Sequence, residues 1–211
     1  MKRLIFSLLF VLGTFCSIIA QHIEKLFIAM PEGIIVQLEE AWRKDLADLY
    51  KSGKTATLEN TMQGKSTLLK LTDNYLLLQS TGRSTVEMKL LPLVNNTHII
   101  CMITTAYAPV ADSRVVFYTT DWNILPAEEL YTPVTADWFL KDDAGHASGE
   151  TSEMNPISDI FLVKYSLDAE KNTLTAEYTT PLYLDAESRE KALLLLKDTH
   201  KVYEWRLSRF E

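Results

Sequence analysis

The densest collection of side chains able to do chemistry lies over residues 137–153. Asp137, Asp142, Asp143, Glu150 and Glu153 supply carboxylates, His146 stands among them, and Trp138 and Phe139 sit at one end. Gly145 and Gly149 permit sharp backbone turns between them. Such a stretch suits a binding loop, with acids for a cation or for sugar hydroxyls and Trp138 as a stacking face. The competing expectation is a solvated connection whose Trp and Phe tuck into the core. Long connections are more often functional or disordered than filler, but the spacing matches no calcium loop. Trp138, Asp142, Asp143 and His146 are the candidate binding residues; no metal ligand set and no catalytic residue is assigned.

Other chemistry-bearing patterns are weaker. Gly64-Lys65-Ser66-Thr67 resembles the end of a phosphate-binding loop, but Glu59 occupies the place of the first glycine. The residues after Thr67 read as a strand, whereas that motif must open a helix, so a polar hairpin turn is expected. His22, His98, His146 and His200 form no pair with zinc-ligand spacing. No Gly-x-Ser-x-Gly elbow flags an acyl-transfer nucleophile. Cys101 lies in the most apolar run and reads as inert core, since reactive thiols need exposure and a positive neighbour. No cofactor is expected.

The elements that must position these residues are legible from periodicity. A helix is expected from Pro31, because Ile34, Ile35, Leu38, Ala41, Trp42, Leu46, Leu49 and Tyr50 recur at three- and four-residue spacing. Glu39 with Arg43 and Glu40 with Lys44 form four-apart pairs on its wet side, and Gly53 supplies a stop. From Thr55 to Thr120 the period falls to two: Val86, Met88 and Leu90 alternate with Thr85, Glu87 and Lys89, as in a strand with one buried face. Asp73-Asn74 and Asn95-Asn96 sit where chain reversals are needed. The apolar run from His98 to Ile103 suits a strand covered on both faces. An antiparallel meander of five or six strands results.

A second strand pair comes later, with Phe161, Val163, Tyr165 and Leu167, then Leu174, Ala176 and Tyr178, about a turn over 168–172. A C-terminal helix is expected over 185–197, carrying Ala192, Leu193, Leu195 and Leu196 inward, before a last strand through Tyr203, Trp205 and Leu207. Strands arriving in hairpins with helices set apart indicate an α+β fold: an antiparallel β-meander packed against an N-terminal and a C-terminal helix.

The start of the chain bears on where these elements work. Lys2 and Arg3 precede an apolar run over 4–20 that ends at the small residue Ala20, the pattern of a secretory signal peptide. Residues 1–20 are therefore expected to be removed, leaving one α+β domain over 21–211, with possible sub-units 21–125 and 157–211 joined by an irregular loop over 126–156. An uncleaved anchor and a lipidated Cys16 are the rival readings. Removing Lys2 and Arg3 from 21 basic residues leaves 19 against 28 acidic ones, a net charge of -9. Such a surface repels a phosphate backbone, so no nucleic acid partner is expected. After cleavage Cys101 is alone, and the fold must stand on its core rather than on disulfides.

Leu26-Phe27-Ile28-Ala29-Met30-Pro31, Met88-Lys89-Leu90-Leu91-Pro92, Phe117-Tyr118-Thr119-Thr120-Asp121-Trp122 and Tyr178-Thr179-Thr180-Pro181 carry a resemblance. Together they resemble an exported Bacteroidales family described as a domain of unknown function. The resemblance spans most of the mature chain, and Thr-Thr-Asp-Trp is its most distinctive piece. It implies a Gram-negative gut bacterium and the periplasm or cell surface, and brings no activity, ligand or site residue. The expectation is an exported, non-catalytic binding or scaffold domain for a protein or glycan partner, in the periplasm, at the cell surface or secreted, with no transmembrane segment after signal cleavage. The alternative is an envelope or extracellular hydrolase whose paired carboxylates come from distant segments.

Overall fold

The computed structural model describes residues 22–142 and 160–211; the expected signal peptide over 1–20 lies outside the described residues. The chain opens with α1 (Ile23–Ile28) and α2 (Glu40–Lys51), then runs through a seven-stranded antiparallel meander. Its strands are β1 (Thr57–Glu59), β2 (Lys65–Leu71), β3 (Tyr75–Thr81), β4 (Ser84–Pro92), β5 (His98–Tyr107), β6 (Ala111–Thr119) and β7 (Ile124–Leu125), adjacent in sequence order. Two single-turn helices, α3 (Ala127–Leu130) and α4 (Ala136–Phe139), come after it. Next are β8 (Val163–Leu167), β9 (Thr173–Tyr178), α5 (Thr180–Tyr183), α6 (Ala186–Leu195), β10 (Lys201–Arg206) and β11 (Arg209–Phe210). The last four strands form a second antiparallel sheet in the order β11-β10-β9-β8. The α+β class, the meander and the helices toward either end of the chain are as the sequence implies.

The meander is the middle layer because its strands are apolar on both faces. Ile100 and Met102 of β5 join Leu76, Leu78, Val86, Met88 and Leu90 against Ile23, Phe27 and Leu46 of the first two helices. Ile99, Cys101 and Ile103 point the other way, with Phe117, into the core shared with Val163, Tyr165, Leu174, Ala176 and Tyr203 of the second sheet. Ala192 of α6 and Leu196 beyond it close this second core.

The helix expected from Pro31 starts instead at Glu40. Gly33, at φ +94°, turns the chain out of helical geometry, and Met30, Ile35 and Leu38 are buried from turns rather than from a helix face. Arg43 is not a wet-side partner of Glu39 but is buried, its guanidinium donating to the carbonyls of Ile28, Met30 and Leu38. One rigid fork thereby satisfies the acceptors of a non-helical segment. Burial holds its pKa below the ordinary arginine value. Gly53 ends α2 as expected: at φ +72° its N–H reaches Tyr50 O, and Lys54 N–H reaches Leu49 O, a Schellman closure.

Two of the residues expected to turn inward near the C terminus face water instead. Leu193 of α6 is 55% exposed, about 100° round the helix from buried Ala192, and Leu207, at φ +47°, is the tip of the β10–β11 turn rather than a strand residue.

The polar face of β4 is also not wet. Glu87 is 8% exposed and Lys89 is fully buried, both between the two sheets. Thr179 N–H bonds Leu162 O at 3.0 Å and Asp168 N–H bonds Thr173 O at 3.2 Å. With the register of β8 on β9, these bonds turn the N–H groups of Val163, Tyr165 and Leu167 outward, away from β9. Each is met by a meander side chain: Asp112 Oδ1 at 3.2 Å, Ser113 Oγ at 3.0 Å and Glu87 Oε2 at 2.9 Å. Lys89 Nζ donates to the carbonyls of Asp168 and Ala169 at 2.8 and 3.2 Å. The edge of the second sheet that abuts the meander is thus closed by side chains.

Candidate binding groove at Trp138

Backbone bonds fix α4, which carries Trp138, against the chain leaving α6: Lys141 N–H donates to Leu195 O at 2.9 Å and Lys197 N–H to Phe139 O at 2.7 Å. Phe139 turns inward, stacked on Tyr178 with ring centroids 5.1 Å apart at 14°. Trp138, next in the turn, meets Phe139 edge-on at 5.0 Å and stays half-buried. The two aromatics therefore divide the roles weighed for them, Phe139 as core and Trp138 as wall.

The charges beside Trp138 are basic. Lys197 Nζ lies 5.6 Å from its ring and donates to its carbonyl at 3.1 Å. Lys201 Nζ lies 5.7 Å from the same ring and 5.0 Å from the ring of Tyr203. Asp142 is fully exposed and reaches Lys197 Nζ at 3.5 Å, a contact worth little at the surface. Trp138 and Asp142 are thus brought to one lysine. Asp143 and His146 lie outside the described residues.

Trp138 borders a groove of about 390 Å³. Pro133 and Val134 line it from the loop before α4, Lys201 and Tyr203 from β10, and Arg209 and Phe210 from β11. Tyr203 donates its hydroxyl to Thr132 O at 3.0 Å, tying the loop to β10, and burial pushes its pKa up to about 12. Arg209 Nε is buried without a hydrogen-bond partner, its nearest carboxylate being Glu211 at 3.8 Å. Sequence spacing does not reveal this groove, because its walls are more than sixty residues apart in the chain. Only Trp138 carried a signal.

The remaining candidates settle into structural roles. Gly64 closes the β1–β2 hairpin, where Asn60 Oδ1 accepts from the N–H groups of Met62 and Gly64, both at 3.1 Å, and Lys65 to Thr67 begin β2. This is the polar turn expected of Gly64-Lys65-Ser66-Thr67. Cys101 is fully buried, and burial drives its thiol pKa upward, away from thiolate chemistry. Glu87 is the carboxyl that burial pushes up most plainly; it is engaged by Leu167 N–H and by Tyr75 Oη at 3.1 Å, inside the core rather than in a cleft. Thr119 Oγ1 accepts from Asp121 and Asn123 N–H at 3.3 and 3.2 Å, so the Thr-Thr-Asp-Trp segment is the β6–β7 turn, with Trp122 packed on Tyr118. Among the described residues no group of three or more His, Cys, Asp or Glu could share a metal ion, and no helix is long and apolar enough to cross a membrane.

None of the curated proteins compared with this chain matches it. A solved structure of a domain of an uncharacterized protein from Porphyromonas gingivalis W83 is similar to it, with a TM-score of 0.74 and 28% identity, covering 90% of this chain and 98% of that one. A protein-family model matches residues 15–210, and the chain belongs to that family, described as Protein of unknown function (DUF3256).

Proposed function

We propose that the protein is an exported, non-catalytic binding or scaffold domain that holds a protein or glycan partner against the groove at Trp138, in the periplasm, at the cell surface or after secretion. The observation that carries this reading is the convergence of an aromatic wall, Trp138 and Tyr203, with the cations Lys201 and Arg209 around one open groove. Aromatic and arginine side chains are the common anchors of recognition surfaces. Asp142 stands nearby, with Asp143 and His146 beyond it in sequence. Export is supported by the basic, apolar and small-residue order of 1–20.

The test is affinity capture from the envelope of the native host, comparing the natural chain with Trp138→Ala combined with Lys201→Ala. A partner recovered by the first and lost by the second supports the site; equal recovery by both overturns it. Mass spectrometry of the native N-terminus is expected to find Gln21 first, and a cytosolic chain retaining Met1 would overturn export.

A further inference from the structure

The two outer edges of the second sheet are treated differently. The β8 edge has all three outward N–H groups met by Asp112, Ser113 and Glu87. The opposite edge is not so covered. Trp205 N–H donates to Asn172 O at 2.8 Å, which places the N–H groups of Lys201 and Tyr203 toward β9 and those of Val202 and Glu204 away from it. Glu204 exchanges both of its backbone bonds with Glu211, at 2.9 and 3.0 Å. Val202 does not: its N–H and C=O point to the same side as those of Glu204, and among the described residues they have no partner. Its side chain is 51% exposed.

The groove lies next to this edge: Lys201 and Tyr203, the neighbours of Val202 on β10, line it together with Glu211, the residue paired with Glu204. Arg209 and Glu211 alternate with Phe210 along β11, so a groove touching all three passes the strand's flank rather than lying on one face. Beside it stand two cations. Lys201 has its ammonium between two aromatic rings, with no carboxylate in contact among the described residues, and Arg209 has a buried Nε that makes no hydrogen bond and has only the Glu211 carboxylate, at 3.8 Å, beside it.

Resting on the proposed binding role of this groove, we infer that the partner is an extended acidic peptide segment that adds as a strand to β10 at Val202. Its backbone meets the free N–H and C=O of Val202, and a carboxylate side chain lies against Lys201 and Arg209. Main-chain bonds supply affinity in this mode and alternate side chains supply selectivity. A glycan offers no repeating N–H and C=O at strand spacing, so the open edge favours a peptide.

The experiment titrates the full chain, labelled with 15N, with four probes. These are an end-blocked peptide of five Thr-Glu repeats, the same peptide N-methylated at every Thr, the same N-methylated at every Glu, and an oligogalacturonate. Calorimetry gives affinity, and the Val202 amide gives hydrogen exchange. Expected is binding of the unmethylated peptide with slowed Val202 exchange. One methylated peptide should bind as well, since its methyls point away from β10, while the other fails. Lys201→Ala and Arg209→Ala should each weaken binding about fivefold. Equal binding of both methylated peptides overturns strand addition. Binding of oligogalacturonate without the peptide overturns the peptide and leaves a glycan groove at the same residues. If no probe binds, the acidic-peptide inference is overturned, while envelope capture with the Trp138 variant decides the broader reading separately.

Discussion

Replacing Glu87 by Gln tests whether the carboxyl between the sheets works as a neutral acceptor or as a charge. Glu87 Oε2 accepts from Leu167 N–H at 2.9 Å and from Tyr75 Oη at 3.1 Å, and burial raises its pKa above the ordinary 4.5 more than these bonds lower it. An acid raised in the folded state is protonated there at pH values where the unfolded chain has already released its proton. Its contribution to stability is therefore full below about pH 4.5, falls as pH rises through the window up to the folded pKa, and is level above it. The slope in that window approaches about 1.4 kcal/mol per pH unit. Gln keeps an acceptor oxygen in place and has no proton to lose, so the variant lacks the slope. Glu87→Ala leaves Leu167 N–H and Tyr75 Oη without an acceptor and costs about 1–3 kcal/mol for each buried group. Urea unfolding of the natural chain and both variants across pH 4 to 8 reads these differences. The natural chain should lose stability relative to Glu87→Gln as pH rises. A difference that is flat, or that favours the natural chain at higher pH, would refute the assignment and show a carboxylate stabilised as a charge by Lys164.

Trp138→Ala with Asp142→Ala should change unfolding free energy by less than about 1 kcal/mol, because one side chain is half-exposed and the other fully exposed, whereas Phe139→Ala should cost about 3–5 kcal/mol. A large loss in the double variant would make Trp138 a core residue. Arg43→Ala should cost about 3–5 kcal/mol by stranding the carbonyls of Ile28, Met30 and Leu38, and Arg43→Lys should recover little, as an ammonium cannot span three acceptors in a fork. Gly53→Ala should cost about 1–2 kcal/mol through its backbone alone, since nothing lies within 4 Å of the added methyl, while Gly82→Ala, in equally open space without a positive φ, should be near neutral by the same denaturant assay.

The contrast between Glu87 and Cys101 shows what periodicity conveys. Both belong to the meander, and the runs around them identify the strands correctly, with reversals at Asp73-Asn74 and Asn95-Asn96 and the two-faced burial of 99–103. Alternation reports which residues share a face; it does not report whether another layer covers that face. Glu87 and Lys89 therefore read as wet, although the second sheet, formed from residues about eighty positions later, lies over them. Arg43 escaped notice for a related reason. Its three- and four-residue spacing is that of an exposed helical charge, and its burial results from Gly33 bending the preceding chain over it.

The groove was legible only at Trp138 because the recognition proposed there depends on what the backbone leaves unpaired, and side-chain patterns do not encode that. The β8 edge and the Val202 edge have similar compositions, each mixing apolar and aromatic with polar residues. What separates them is the supply of acceptors from the neighbouring layer: β4 and β6 bring Glu87, Asp112 and Ser113 to one edge, while among the described residues none reaches Val202 on the other. An exposed strand edge is a liability that folds ordinarily blunt. Keeping this one beside Lys201 and Arg209, in a chain whose opposite edge is closed at every outward N–H, is the arrangement expected of a surface kept for a partner. Hydrogen exchange in the unliganded chain separates the two edges directly. Val202 should exchange far faster than Tyr203 and Leu167, and protection of Val202 equal to theirs would mean that the edge is already filled.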